Sequence, residues 1–177
     1  FAARKHVLEY DDVLNTQRKI IYAQRLQVLE GKDVKDSIMK MIDDTIAHAV
    51  HAAIGENHLI SLEMVEQARR PFIGIFLRPD DCTFTAEECD DLTAEQLTAE
   101  LAEQAHKVYD AKEQALTSPI MRELERVILL KNVDSKWMDH IDAMTELRNG
   151  IGLRAYGQHD PVVEYKREGF DMFDAMI

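Results

Sequence analysis

The sequence predicts an all-α fold: long helices packed antiparallel, a helical hairpin at the end of the chain, and a small helical domain inserted between them. Three observations predict it. Gly and Pro number only 7 and 4 in 177 residues, too few for the turns of a many-stranded β fold. Residues 1–30 contain neither. Apolar residues recur at steps of three and four along most of the chain, which places them on one face of a helix.

The first helix is expected over residues 1–30. Val7, Leu14, Ile21 and Val28 repeat every seven residues, with Val13 and Ile20 beside them. This is a heptad-like stripe on a helix about 45 Å long at a rise of ~1.5 Å per residue. A helix of this kind is marginal alone in water and must pack on something. The later stripe of Ile120, Leu124, Val127, Trp137 and Ile141 is the expected partner. Tyr10, Asp11 and Asp12 stand in mid-helix. Adjacent carboxylates splay apart around a helix, which favours a solvated face turned to a basic partner over a metal or acid–base pair.

Gly31 ends this helix. Residues 34–54 form a second amphipathic helix on Val34, Ile38, Met41, Ile42, Ile46, Ala49, Val50 and Ala53, with Gly55 as its stop. His48 and His51 have a spacing that can share a metal, and His58 follows. No carboxylate completes a set at helical spacing, so surface or helix-end histidines are the better reading. A shorter helix is expected over 59–69. The apolar run Phe72–Leu77 is too short to span a membrane and reads as a buried segment or a turn of helix. Residues 78–92 form an acidic loop. Thr85 with Glu88, and Thr93 with Gln96, have the spacing of capping boxes. The second opens a long helix with Leu97, Leu101, Val108, Tyr109 and Leu116 on its buried side.

Ser118-Pro119 pairs a cap with a first helical position and starts the return helix. Trp137, Ile141, Met144 and Leu147 continue its stripe. Gly150, Gly152 and Gly157 are expected to break it into a loop over 149–160, and Asp160-Pro161 restarts a helix on Val162, Tyr165, Met172, Phe173 and Met176. The tip of this hairpin holds Leu153, Arg154, Ala155 and Tyr156, where a tip without a task would more often carry Gly, Asn, Asp or Ser. The expected segments are therefore 1–30, 31–118 and 119–177.

Charge is uneven. The middle segment 31–118 carries eight Lys/Arg against eighteen Asp/Glu, most of the chain's net −12. Such a surface argues against nucleic acid, whose phosphates need a basic face. Cys82 and Cys89 have six residues between them, neither a redox pair nor enough ligands for structural zinc, and read as ordinary thiols in a reducing compartment. No apolar run approaches the ~20 residues of a membrane span, and no signal peptide is evident. The expected location is cytoplasmic. Phosphate-cradling glycine loops are absent from the sequence, and no Ser or Cys sits in a nucleophile motif. No catalytic residue, metal site or bound cofactor is therefore expected. The chain starts without Met and stops within an apolar stripe, and so reads as a piece of a longer protein.

Two motifs carry a family resemblance. GIGLRAYGQHDPVVEYKREGF resembles the two-helix finger of the SecA family of bacterial preprotein translocase motors. RKHVLEYDDVLNTQRKIIYAQR resembles the end of that family's central scaffold helix. The match is strong over residues 1–30 and 119–177 and weak over 31–118, which would correspond to the helical wing domain. The resemblance implies that the parent hydrolyses ATP, with Mg, in two nucleotide-binding domains whose motifs this chain lacks. It implies that this part couples hydrolysis to movement of unfolded preprotein through the SecYEG channel and restrains the idle motor. The implied partners are the motor domains, SecYEG and the preprotein with its signal peptide. The implied location is peripheral, at the inner face of the plasma membrane.

Residue roles follow from the same resemblance. Tyr156 falls at the family's tip tyrosine, flanked by Leu153 and Arg154, and would touch the moving chain. The residues alone leave this reading level with one in which Tyr156 folds back as a lid. Tyr10, Asp11 and Asp12 would lie in the scaffold, where Asp11 or Asp12 pairs with a cation on a motor domain. Trp137 is either a core anchor of the finger base or a wall of a signal-peptide groove. Lys166, Arg167 and Glu168 form either a solvated face or a contact with a motor domain or SecYEG. The alternative from another class is a stand-alone helical adaptor whose hairpin docks one folded partner.

Overall fold

The first 30 residues can form one uninterrupted helix because nothing in them breaks the backbone ladder, and α1 spans Ala2–Leu29. The computed structural model describes residues 2–30, 34–56, 59–154 and 160–177. The other helices are α2 (Lys35–Ile54), α3 (Leu62–Arg69), α4 (Ala86–Asp91), α5 (Ala94–Leu116), α6 (Ser118–Arg154) and α7 (Pro161–Met176). No strand occurs among the described residues, so the fold is all-α. The chain divides into two units, Phe1–Asp33 with Leu124–Ile177, and Val34–Glu123.

The first unit is built from α1, α7 and the greater part of α6. The heptad stripe of α1 buries Ile21 and Val28 and half-buries Leu14, while Val7 stays 46% exposed. Trp137 and Ile141 of α6 meet this stripe as expected. Val127 does not: it is exposed, as is Ile128 beside it. The close backbone neighbour of α1 is α7 rather than α6. α7 brings its Gly169 carbonyl to Gln17 of α1, whereas α6 reaches α1 through the side chains of Trp137, His140 and Met144.

The hairpin also departs from expectation at its tip. Gly150 and Gly152 do not end α6, which continues to Arg154. A glycine inside a helix costs about 1 kcal/mol relative to Ala. Ile151, 3% exposed, packs with Leu147, Tyr165, Tyr10 and Val13, and its burial offsets that cost. α7 then starts as the sequence predicts. Asp160 accepts a hydrogen bond from Val162 N at 2.9 Å, and Pro161 occupies the first turn.

The second unit closes around α2, α3 and α5. Ile46, Val50, Ile54, Val65, Ala68, Leu97 and Leu101 are shut off from solvent. Both capping boxes form. Thr85 N donates to Glu88 Oε2 at 2.7 Å and Glu88 N returns to Thr85 Oγ1; Thr93 N donates to Gln96 Oε1 at 2.9 Å and Gln96 N returns to Thr93 Oγ1. The first starts the short α4 inside the stretch expected to be loop. The run Phe72–Leu77 is neither uniformly buried nor a helix. A 3₁₀ turn over Arg70–Phe72 leads into a tight turn through Gly74 (φ +84°), with Gly74 N donating to Leu77 O. Phe72 and Leu77 are buried and Ile75 is 74% exposed. Ile75 lines an apolar groove of about 420 Å³ with Ile38, Met41, Phe76, Val108 and Tyr109. Val108, expected in the core, thus sits on the groove rim.

Arg69 is 1% exposed and holds the following loop from below. Its guanidinium donates to Pro79 O and Asp81 O and pairs with Glu66. Cys89 is buried and Cys82 half-buried, and burial raises both thiols above their ordinary pKa. The junction of α5 and α6 is tied by charge. Glu113 accepts from Lys35 Nζ at 2.6 Å and pairs with Arg122 Nη2 at 3.2 Å, and Lys35 also lies 3.8 Å from Asp110. Thr117 between the helices has φ +72°, and its carbonyl accepts from Met121 N. Ser118 is therefore the first residue of α6 rather than its cap, and its side chain hydrogen-bonds Glu113.

Candidate functional site: the base of the helical hairpin

The sequence points to the hairpin, and the structure supplies its base. Gln17 lies on the apolar face of α1, between Leu14 and Ile21, and is 6% exposed. Its Nε2 donates to Gly169 O of α7 at 3.0 Å. Its Oε1 lies 2.7 Å from His140 Nε2 of α6. With the amide so oriented, Oε1 must accept, and His140 carries its proton on Nε2. One side chain thereby reaches all three helices of its unit.

His140 is 4% exposed and lies between aromatic rings, 5.6 Å from Trp137 and 5.6 Å from Phe173. Burial lowers its pKa below the ordinary histidine value, so it is neutral at pH 7. Gly169 is enclosed. A Cβ there would stand 2.7 Å from Met144 Cε and 3.9 Å from Gln17 Nε2. Gln17 and Gly169 lie inside the two quoted motifs without a role assigned to them, and His140 lies outside both. Their signal is positional: each is a polar or small residue on a face whose neighbours three and four away are mostly apolar.

The predicted scaffold residues fall nearby. Tyr10 meets Tyr165 edge to face at 4.8 Å, and the Arg148 guanidinium lies 5.2 Å from the Tyr10 ring centre. Asp11 pairs with Arg148 Nη1 at 3.1 Å, so its cation comes from α6 of this same chain. Asp12 is exposed, and its carbonyl accepts from Thr16. Burial raises the Tyr165 phenol, which is 2% exposed.

Trp137 makes contacts on two sides. At 6% exposed it packs with Ile21 and Phe173 as core. One side of it also lines a groove of about 670 Å³ between α1 and α6, with Tyr22, Leu26 and Met138. Arg25 and Asp134 form a two-pronged pair on that groove, at 3.0 and 3.3 Å.

At the tip, Leu153 is 79% exposed in the last turn of α6. Arg154 ends the helix, and its side chain lies outside the described residues, as does the whole of Tyr156. On α7, Lys166 and Arg167 are exposed, and Arg167 pairs with Glu164 at 2.5 Å. His48 and His51 are exposed on α2, and His58 lies outside the described residues. Among the described residues no three metal-capable side chains converge, and no helix is long and apolar enough to cross a membrane.

Comparison with known proteins places this architecture. The family model described as the SecA wing and scaffold domain matches residues 1–177. The protein translocase subunit SecA of Syntrophomonas wolfei is 45% identical over 184 aligned residues, covering 100% of this chain and 21% of that protein. The SecA subunit of Pelotomaculum thermopropionicum is 46% identical, covering 100% of this chain and 20% of its own length. That of Clostridium perfringens is 46% identical, covering 100% and 21%. The chain thus spans about a fifth of the length of these relatives. With a match from its first residue to its last, the chain belongs to the SecA protein translocase subunit family, as its wing and scaffold part.

Proposed function

We propose that this chain is the coupling and substrate-contact part of a protein-translocating ATPase. It relays ATP hydrolysis, performed in other domains with Mg, to the movement of unfolded preprotein through the SecYEG channel. It works at the cytoplasmic face of the membrane as part of a peripheral protein. The single observation that carries this reading is the match to the translocase subunit along the whole chain. The exposed Leu153 at the end of a helix whose base is locked by buried contacts fits a tip that reaches a partner while its root stays fixed. Tyr156, flanked by Leu153 and Arg154, offers an aromatic face and a hydroxyl, suited to gripping varied peptide without sequence preference.

The test is site-specific crosslinking from position 156 in the full-length parent during ATP-driven transport of a stalled unfolded substrate. An ATP-dependent crosslink to the moving chain is expected. A crosslink only to a folded partner, insensitive to substrate, would instead make the hairpin an adaptor's docking surface.

A further inference from the structure

We infer that Gln17 is the positioning residue that fixes the register of α7 on α1, so that α7 cannot slide along α1 and the hairpin base moves with α1 as one body. The geometry allows a single register. The Gln17 amide is buried and uses both its ends, one on the Gly169 carbonyl and one on His140. Leaving a buried polar group unpaired costs about 1–3 kcal/mol. Sliding α7 by one turn, ~5.4 Å, would carry that carbonyl out of reach. It would also bring the bulk of Tyr165 or Phe173 to the place where Gly169 now passes. α7 has no second glycine to offer there. The other end of the amide is equally constrained, because His140 is held between Trp137 and Phe173. Hydrophobic contacts alone tolerate sliding, since one apolar side chain can replace another. A hydrogen bond to one carbonyl does not. The structural part of this inference stands on its own; its consequence for transport rests on the coupling reading.

The experiment uses the full-length parent with Gln17→Leu, Gln17→Asn and Gln17→Glu. Asn keeps the chemistry but is one methylene too short to reach both partners. In the Leu and Asn variants, peptide-level hydrogen exchange of residues 165–173 is expected to accelerate about ten-fold, the factor for losing a buried hydrogen bond. Exchange over residues 34–123 should not change. Unchanged exchange of α7 in both variants would overturn the inference. Gln17→Glu gives a readout that mere stability would not move. A carboxylate beside Nε2 should raise the His140 pKa by more than about one unit, read by exchange of its ring C2 proton. Polypeptide moved per ATP separates the two ideas. A fall in the variants that loosen α7 supports both. Unchanged transport with a loosened α7 confirms the pin and counts against the coupling reading.

Discussion

Met144 Cε lies 2.7 Å from where a Cβ on Gly169 would stand, so a methyl group there fits only if the end of the Met144 side chain moves. Gly169→Ala gains up to about 1 kcal/mol of helix propensity. Overpacking a core costs ~1–3 kcal/mol, and Met144, itself 1% exposed, has little space to yield. A net loss of about 1 kcal/mol is expected, and more for Gly169→Val. Urea unfolding of the single variants and of Gly169→Ala with Met144→Ala checks the contact: the double variant should lose less than the sum of its parts. Strict additivity would mean the two residues do not meet.

Gly150→Ala should act in the opposite direction. The residue lies within α6, and an added Cβ would meet nothing within 4 Å. Replacing a helical glycine by Ala at an open position stabilises by roughly 0.5–1 kcal/mol. A rise in the melting temperature is expected. A fall would return this stretch to the loop that its glycines suggest.

Thr117 holds φ +72° and ψ 149°, a region comfortable only for glycine, on a β-branched side chain. Such a conformation costs about 1–3 kcal/mol. Thr117→Gly should therefore raise the stability of the unit over residues 34–123 by about 1 kcal/mol, after the extra chain entropy of glycine is subtracted. Differential scanning calorimetry gives the direct measure, and an unchanged or lower transition would remove the strain argument.

Glu113 carries a pH dependence of known sign. The hydrogen bond from Lys35 Nζ, then that from Ser118, hold its carboxyl down to about 2. A carboxylate depressed in the folded state contributes stability above its unfolded pKa, near 4.3, and that contribution is lost as pH falls toward 2. The acid limb of unfolding between about pH 4.3 and 2 should be flatter in Glu113→Gln than in the wild type. Lys35, raised by the same bond, stays charged throughout this window. Equal slopes in the two proteins would show that the pair is not formed in solution.

Most of the architecture is readable from residue order, and the exceptions share a cause. The capping boxes at Thr85 and Thr93 and the Asp160-Pro161 start are local devices, complete within four residues, so their spacing suffices to find them. Gly150 and Gly152 mislead because the decision to stay helical is made by Ile151, which is buried by residues of α1 and α7 far away in sequence. Gln17 is overlooked for the mirror reason. A polar residue in an apolar stripe looks like an interruption until Gly169 and His140 are brought to it. Which helix lies nearest α1 is settled between segments far apart in sequence, which periodicity does not weigh. Asp11 looks available to an outside cation until Arg148, 137 residues later, takes it.

The apolar groove around Ile75 also bears on how the protein is handled. Met41, Ile75 and Val108 are exposed on a unit with eighteen acidic and eight basic residues among positions 34–123. That surplus of negative charge keeps two copies apart at neutral pH. At the isoelectric point, close to 5.0, the repulsion vanishes while the sticky surface remains. Turbidity should therefore peak near that pH, and Ile75→Asp should lower the peak without altering the melting temperature. Buffers well above pH 5 are the ones in which the isolated chain stays colloidally stable.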